Sequence, residues 1–272
     1  PILFIRYKTR EAQLKMDLQL KQMEKQNIEI SHNMGVQMFT NFSHELRTPL
    51  TLIIAPLTDL LHKEDMPPAY RQPLELINRN SQRLLWLVNR LMDFHKLEAG
   101  KMQLHVSNYN LGTYIPEIIK LFMPVAEKKN ISIEFNDTTS STDTWFDAIL
   151  LEKVFFNLLS NSLKHTPNGG YIIISSMETN TEDIQKPENL GLPAGKILLI
   201  KVEDSGSGIP ANMMPRIFEA FFQAGEKVLG SGIGLNLTKS IIELHGGRIW
   251  IDNKEGHGIT VSFTLPLGKE DR

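Results

Sequence analysis

With 29 lysines and arginines against 31 aspartates and glutamates, the 272-residue chain has a formal charge of −2, which excludes a protein that grips nucleic acid through bulk positive charge. The absence of cysteine excludes a disulfide framework and any thiolate metal site. At 41% hydrophobic residues the chain is ordinary globular material, long enough for two domains.

The chain opens on an apolar run, Pro1-Ile2-Leu3-Phe4-Ile5, followed at once by Arg6, Lys8 and Arg10. Five residues cannot span a bilayer, which takes about 20. The run reads as the end of a transmembrane helix with a basic inner flank, so the expectation is the cytoplasmic portion of an inner-membrane protein.

From about residue 11 to 62 the pattern is one long helix interrupted at Pro49. Leu20, Met23, Asn27, Ile30, Met34, Gln37 and Asn41 recur at spacings of three and four, a heptad-like seam. Its polar members weaken a coiled coil while fixing its register, as suits a signalling linker over residues 1–33. Within this helix lies Phe42-Ser43-His44-Glu45-Leu46-Arg47-Thr48-Pro49-Leu50. At about 100° per residue, Leu46, Leu50, Ile53 and Leu57 fall within roughly 40° of one direction, while His44 and Thr48 point almost oppositely. A histidine on the wet face is free to react.

After the polar and proline-rich break Lys63 to Pro68, a second helix is expected from about Ala69 to Leu97, with Leu74, Ile77, Leu84, Val88 and Leu91 on its apolar side. Each helix has more apolar surface than one partner covers, so the hairpin is expected to pair with a second copy in a dimeric four-helix bundle, a homodimer. The period changes at Glu98-Ala99-Gly100-Lys101, which places a domain boundary near residue 100 and divides the rest into 34–100 and 101–272.

Beyond it, strands are expected at Met102 to Val106, Ile131 to Phe135, Gly170 to Met177, Lys196 to Glu203, Gly247 to Asp252 and Thr260 to Leu265. Helices are expected from Leu111 to Lys129, Ala148 to His165, Pro210 to Ile217 and Gly234 to Leu244. Together they predict an α/β sandwich with helices on one side of a mixed sheet.

Three stretches of this second region carry chemistry. Asn157, Asn161, Lys164 and His165 share nearby faces of one helix through steps of three and four. An amide oxygen is a hard ligand suited to Mg2+, and a lysine offsets phosphate charge. Glu203-Asp204-Ser205-Gly206-Ser207-Gly208-Ile209-Pro210 follows an apolar strand, and an acid at the base of such a loop can accept a hydrogen bond from an exocyclic amine. Gly230-Ser231-Gly232-Ile233-Gly234-Leu235 opens a helix whose free amides favour phosphate.

The first stretch, His44-Glu45-x-x-Thr48-Pro49-Leu50, resembles the phosphoacceptor motif of sensor histidine kinases of two-component systems. The later stretches resemble their catalytic domain, the fold shared with gyrase, Hsp90 and MutL. Ile217-Phe218-Glu219-Ala220-Phe221-Phe222 is similar to the family's phenylalanine motif, and Gly256-x-Gly258-x-Thr260 with Phe263 to its closing hairpin; the likeness covers about residues 34 to 267.

The resemblance implies ATP and Mg2+ as cofactors. It implies Asn161 holding the ion, and Asn157, Lys164 and His165 contacting phosphates or the ion. Asp204 would bind the adenine amine beside Gly206, Gly208 and Ile209, and Gly230, Gly232, Gly234 and Leu235 would line the phosphates. It further implies autophosphorylation of His44, with Glu45 orienting or deprotonating the ring, and transfer to an aspartate of a response-regulator receiver domain, separate or fused. Thr48 would position a water for receiver dephosphorylation. A large membrane-bound hybrid sensor is the implied parent.

The chain departs from the family in two places. Between Phe222 and Gly230 the lid is shorter than usual and lacks a basic run, and Ser162 stands where alanine is common. The alternatives are a gyrase- or Hsp90-type ATPase, which would carry a glutamate base where this chain has Asn157, and a degenerate kinase acting as a scaffold.

Overall fold

The computed structural model describes residues 43, 45–63, 66–139, 144–184, 191, 195–223, 232–253 and 256–267. The chain divides into two compact units, Pro1–Met102 and Gln103–Arg272. The linker seam, the apolar start and His44 lie outside the described residues, as does Gly230.

In the first unit, helix α1 runs over residues 45–61 and α2 over Pro68–Glu98. Pro68 sits in the first turn of α2, where its missing N–H costs nothing. The helices are tied by Arg47, which donates from Nε and Nη2 to Asn89 Oδ1 at 3.2 and 2.7 Å. The apolar side read from the sequence is only partly covered. Leu57 is buried, but Leu46, Ile53, Ile77 and Leu84 are exposed, and Ser81, Met92 and Phe94 supply the buried positions of α2.

The second unit has a five-stranded sheet in the order β2-β4-β5-β7-β6: β2 Ser132–Asp137, β4 Tyr171–Asn180, β5 Lys196–Asp204, β6 Ile249–Asn253 and β7 Ile259–Pro266. Only the β2–β4 pair is parallel. Helices α3 Leu111–Lys128, α4 Ala148–His165 and α5 Gly234–Leu244 pack on one another and on the sheet. Asn110 and Asp147 cap the amino ends of α3 and α4 with their side chains. Asn130 adopts a left-handed conformation just past α3, where Ile131 N–H reaches back to the Ala126 carbonyl.

Cross-strand register fixes which side chains face the helices. Ile172 lies opposite Asp204, Ile174 opposite Val202, and Ile200 opposite Phe263. All but Asp204 are fully buried apolar residues. Since side chains alternate with a period of two, Asp204 shares the inward parity of Leu198, Ile200 and Val202. The Phe155 ring of α4 meets the Phe263 ring edge-on at 6.0 Å, so α4 covers this face.

Three expectations about elements are corrected, the first being the interruption at Pro49, through which α1 runs without a break. Residues Met102 to Val106 alternate in burial but form no ladder; the His105 N–H goes to Asp147 Oδ2 at 2.8 Å instead of to a strand. The strand begins later, as β1 Ser107–Tyr109, and pairs antiparallel with β3 Thr144–Phe146, which the sequence reading missed. Pro210 to Ile217 is not an α-helix, because Pro215 lacks the donor a helix interior needs; only the 3-10 turn Met214–Arg216 forms.

Candidate active site

Helix α4 is the spine of the site. From Asn157 at mid-helix to His165 at the carboxyl end it rises about 12 Å, and these two levels meet different partners. Asn157, only 4% exposed, donates from Nδ2 to the Gly234 carbonyl and to Thr238 Oγ1, both at 3.3 Å, and so ties α4 to the first turn of α5. Asn161 is half-buried in the middle, and Lys164 and His165 are exposed at the far end. The imidazole of His165 is held below its ordinary range first by partial loss of solvent and then by Lys164, with Asp204 opposing and Lys129 adding to the depression.

At that far end stands Asp204, 3% exposed at the last position of β5. Ser162 Oγ donates to its Oδ2 at 2.9 Å, and the Gly206 N–H to its Oδ1 at 3.0 Å. A carboxylate has about four lone-pair positions, so two donors leave acceptor capacity for a ligand. The Thr166 hydroxyl, directly after His165, is one of three buried polar side-chain atoms among the described residues that lack a hydrogen-bond partner, with Asn78 Oδ1 and Ser262 Oγ. The carboxyl end of α4 thus offers spare polar capacity at Asp204 and Thr166.

The opposite end is built by Phe221 and Gly232. Phe221 is exposed with φ at +64°, a left-handed conformation costly for a bulky side chain, and its N–H donates to the Gly232 carbonyl at 3.0 Å. Gly232 has φ at +67°, and a Cβ there would lie 2.5 Å from the Phe221 carbonyl carbon. Helix α5 then opens at Gly234 with Leu235 in its first turn. Among the described residues Ile233 makes no side-chain cap, and a helix start of this kind suits an anion.

In the helical unit, Glu45 and Thr48 are exposed one turn apart on α1. Site residues of the two units are therefore described on separate bodies.

Comparison with known proteins follows these two bodies. Residues 36–100 match the family model of the His Kinase A (phospho-acceptor) domain, and residues 146–269 that of the Histidine kinase-, DNA gyrase B-, and HSP90-like ATPase. The chain belongs to the sensor histidine kinases. It is 35% identical over 98% of its length to Histidine kinase P4 of Formosa agariphila, and 37% identical over 85% to Hybrid signal transduction histidine kinase D of Dictyostelium discoideum. It spans 19% and 15% of those two proteins. Among solved structures, full-length ShkA in complex with AMPPNP aligns with a TM-score of 0.68 at 23% identity, covering 86% of this chain and 46% of that one. ThkA in complex with the response regulator protein TrrA aligns at 0.54 and 25% identity, covering 87% and 63%.

Within this histidine kinase the folded chain brings Asn157, Asn161, Lys164 and His165 onto one helix and sets Asp204 and Gly206 against its carboxyl end. Three supporting residues escaped the sequence reading. Asp147 caps α4, and its N–H donates to His245 Nε2 at 3.1 Å. A backbone N–H can only donate, so Nε2 is unprotonated and His245 Nδ1 carries the hydrogen, bonding to the Ile241 carbonyl at 2.8 Å. Burial holds this histidine below its ordinary value of 6.5. The third is Asn253, at the end of β6, which bonds to Ile209. The only sequence cue for His245 is its place between a helix and Gly246-Gly247, and no local cue marks Asn253.

Proposed function

We propose that this chain is an ATP-dependent protein kinase that phosphorylates its own His44 and passes the phosphoryl group to an aspartate of a receiver domain. The observation that carries the reading is the pair of partners along α4: a buried carboxylate with spare acceptor capacity at its carboxyl end, and the uncapped start of α5 tied to Asn157 at mid-helix. Asp204 accepts the exocyclic amine of adenine, flanked by Gly206, Gly208 and Ile209. The phosphates run toward Gly230, Gly232, Gly234 and Leu235, with Lys164 offsetting charge and His165 nearer the base end.

Among the described residues no three carboxylate or imidazole groups converge on a metal-sized space. Asn161 instead offers one neutral oxygen, the contribution suited to an ion already carried by a triphosphate. Asn161 would hold Mg2+, which when bound would supply charge neutralisation on the transferring group. A neutral ring nitrogen of His44 forms the new N–P bond as the bond from the γ-phosphorus to the bridging oxygen breaks, and ADP leaves. Glu45 orients the ring and takes the proton from its other nitrogen. In the second step the N–P bond breaks as a receiver carboxylate forms an O–P bond. Thr48, exposed beside Glu45, positions water for the reverse dephosphorylation.

The ATPase alternative is disfavoured by Asn157, an amide engaged with α5 that cannot take a proton from water. The homodimer is supported by a heptad stripe on α2: Tyr70, Ile77 and Leu84, spaced by seven, are all exposed. No described helix is long and apolar enough to cross a membrane; attachment through an apolar segment near Pro1 is tested by fractionating the parent protein.

Incubation with γ-labelled ATP and Mg2+ tests the central claim. The expected product is an acid-labile, alkali-stable label that disappears in His44→Ala. Label that survives His44→Ala, or no label on a chain that binds ATP, overturns it.

A further inference from the structure

The β6–β7 hairpin holds the loop after Asp204 at three points, and one of them is a side-chain clamp. Asn253 accepts the Ile209 N–H on Oδ1 and donates from Nδ2 to the Ile209 carbonyl, each at 2.7 Å. One amide thereby reproduces the pair of bonds that a neighbouring strand exchanges with a single residue. Two residues earlier in the loop, the Ser207 carbonyl accepts the Gly256 N–H at 2.9 Å. Gly258 lies against the Asp204 carbonyl so closely that any Cβ would overlap it. The hairpin therefore grips residues 204, 207 and 209, while Ser162 grips the Asp204 side chain from α4.

We propose that Asn253 is a positioning residue for nucleotide binding, its reciprocal amide clamp on Ile209 keeping the Gly206–Ile209 loop in the form that receives the base. This rests on the reading of Asp204 and its loop as the base site. Gly206 and Gly208 give the loop many alternative backbone states. Pro210 confines Ile209 to extended geometry but does not fix where that extended segment lies. Without the clamp, the half-buried main-chain groups of Ile209 turn to water and the competent fraction of loops falls. Apparent affinity falls by the same factor, since ligand binds only the competent form.

Asparagine is required because both of its functions are used. In Asn253→Ala both bonds are lost. In Asn253→Asp the shape is kept, but a carboxylate oxygen faces the Ile209 carbonyl with no hydrogen between them, which is worse than removing the side chain. A residue that merely filled space would rank the variants in the opposite order.

The test is equilibrium ATP binding to the 272-residue chain, with KM and kcat for self-labelling and the melting temperature of each variant. The expected result is a Kd for ATP about tenfold weaker in Asn253→Ala, the size of a net hydrogen bond or two, and weaker still in Asn253→Asp. KM rises in parallel while kcat at saturating ATP stays within about twofold. Asn253→Asp binding ATP as tightly as the unaltered chain overturns the clamp, and so does a fall in kcat and melting temperature that accounts for the change in KM. If the unaltered chain binds ATP and both variants match it, the clamp alone fails. If the unaltered chain binds no ATP, the base-site reading fails with it.

Discussion

In the sandwich, Phe155, Leu151, Phe263 and Ile172 lose all solvent contact, whereas on α2 of the hairpin Ile77 and Leu84 keep 48% and 53% of their surface exposed. Both regions are rich in large apolar side chains, so composition does not separate them. The difference is one of closure. A sheet covered by three helices seals its own core, while two antiparallel helices leave a stripe that a further helix pair must cover. The sandwich thus completes its interior alone, and the helical unit leaves Ile77 and Leu84 exposed.

The largest expected effect breaks the sealed side of this comparison. Phe155→Ala removes a fully buried ring packed on Phe263 and is expected to cost about 3–5 kcal/mol in denaturant unfolding. A loss below about 1 kcal/mol would mean that the sandwich core is not closed as described. Next comes the open side: Ile77→Asp with Leu84→Asp places charge on the exposed stripe and is expected to convert dimer to monomer in sedimentation while ATP binding persists. A double variant that remains dimeric removes α2's stripe from the interface.

Smaller effects sharpen the comparison inside the nucleotide unit. Asp204→Asn keeps the shape but changes an acceptor facing Ser162 and Gly206, and is expected to weaken ATP by about 10- to 100-fold, the worth of a hydrogen bond to a charged group. Calorimetric titration checks it, and unchanged affinity argues against the base contact. The smallest effect is pH dependence through His245. Its folded form favours the neutral ring because of burial, so the unfolded chain binds more protons once pH drops below about 6.5. Stability is fully present above that value and is lost as pH falls toward the folded-state pKa. Melting temperature is expected to fall less steeply on acidification in His245→Gln, and identical slopes would assign the loss to other groups.

Local pattern made the central helix legible: Ala148 to His165 was expected and is observed, because its apolar spacing acts within one element. The same holds for Gly234 to Leu244. Legibility failed where structure depends on a distant partner. The β1–β3 pair joins Ser107–Tyr109 to Thr144–Phe146, and a three-residue strand has no periodicity to read. At the site, the residue types with intrinsic chemistry stood out, namely the asparagines, Asp204 and the glycines. Asn253 and His245 did not, because their importance lies in matching main-chain groups 44 residues or 98 residues away.

The hydrogen bond between Phe221 and Gly232 bears on how the chain between them tolerates changes of length. It fixes residues 221 and 232 beside one another, so the chain between them is a closed loop in the sense of chain entropy. The entropy of closing such a loop grows only with the logarithm of its length, about 0.6 kcal/mol for each doubling. Residues can be inserted or deleted between Phe222 and Gly232 at little thermodynamic cost to the sheet and helices beneath. A change of length there is then expected to leave the fold of the sheet and helices in place.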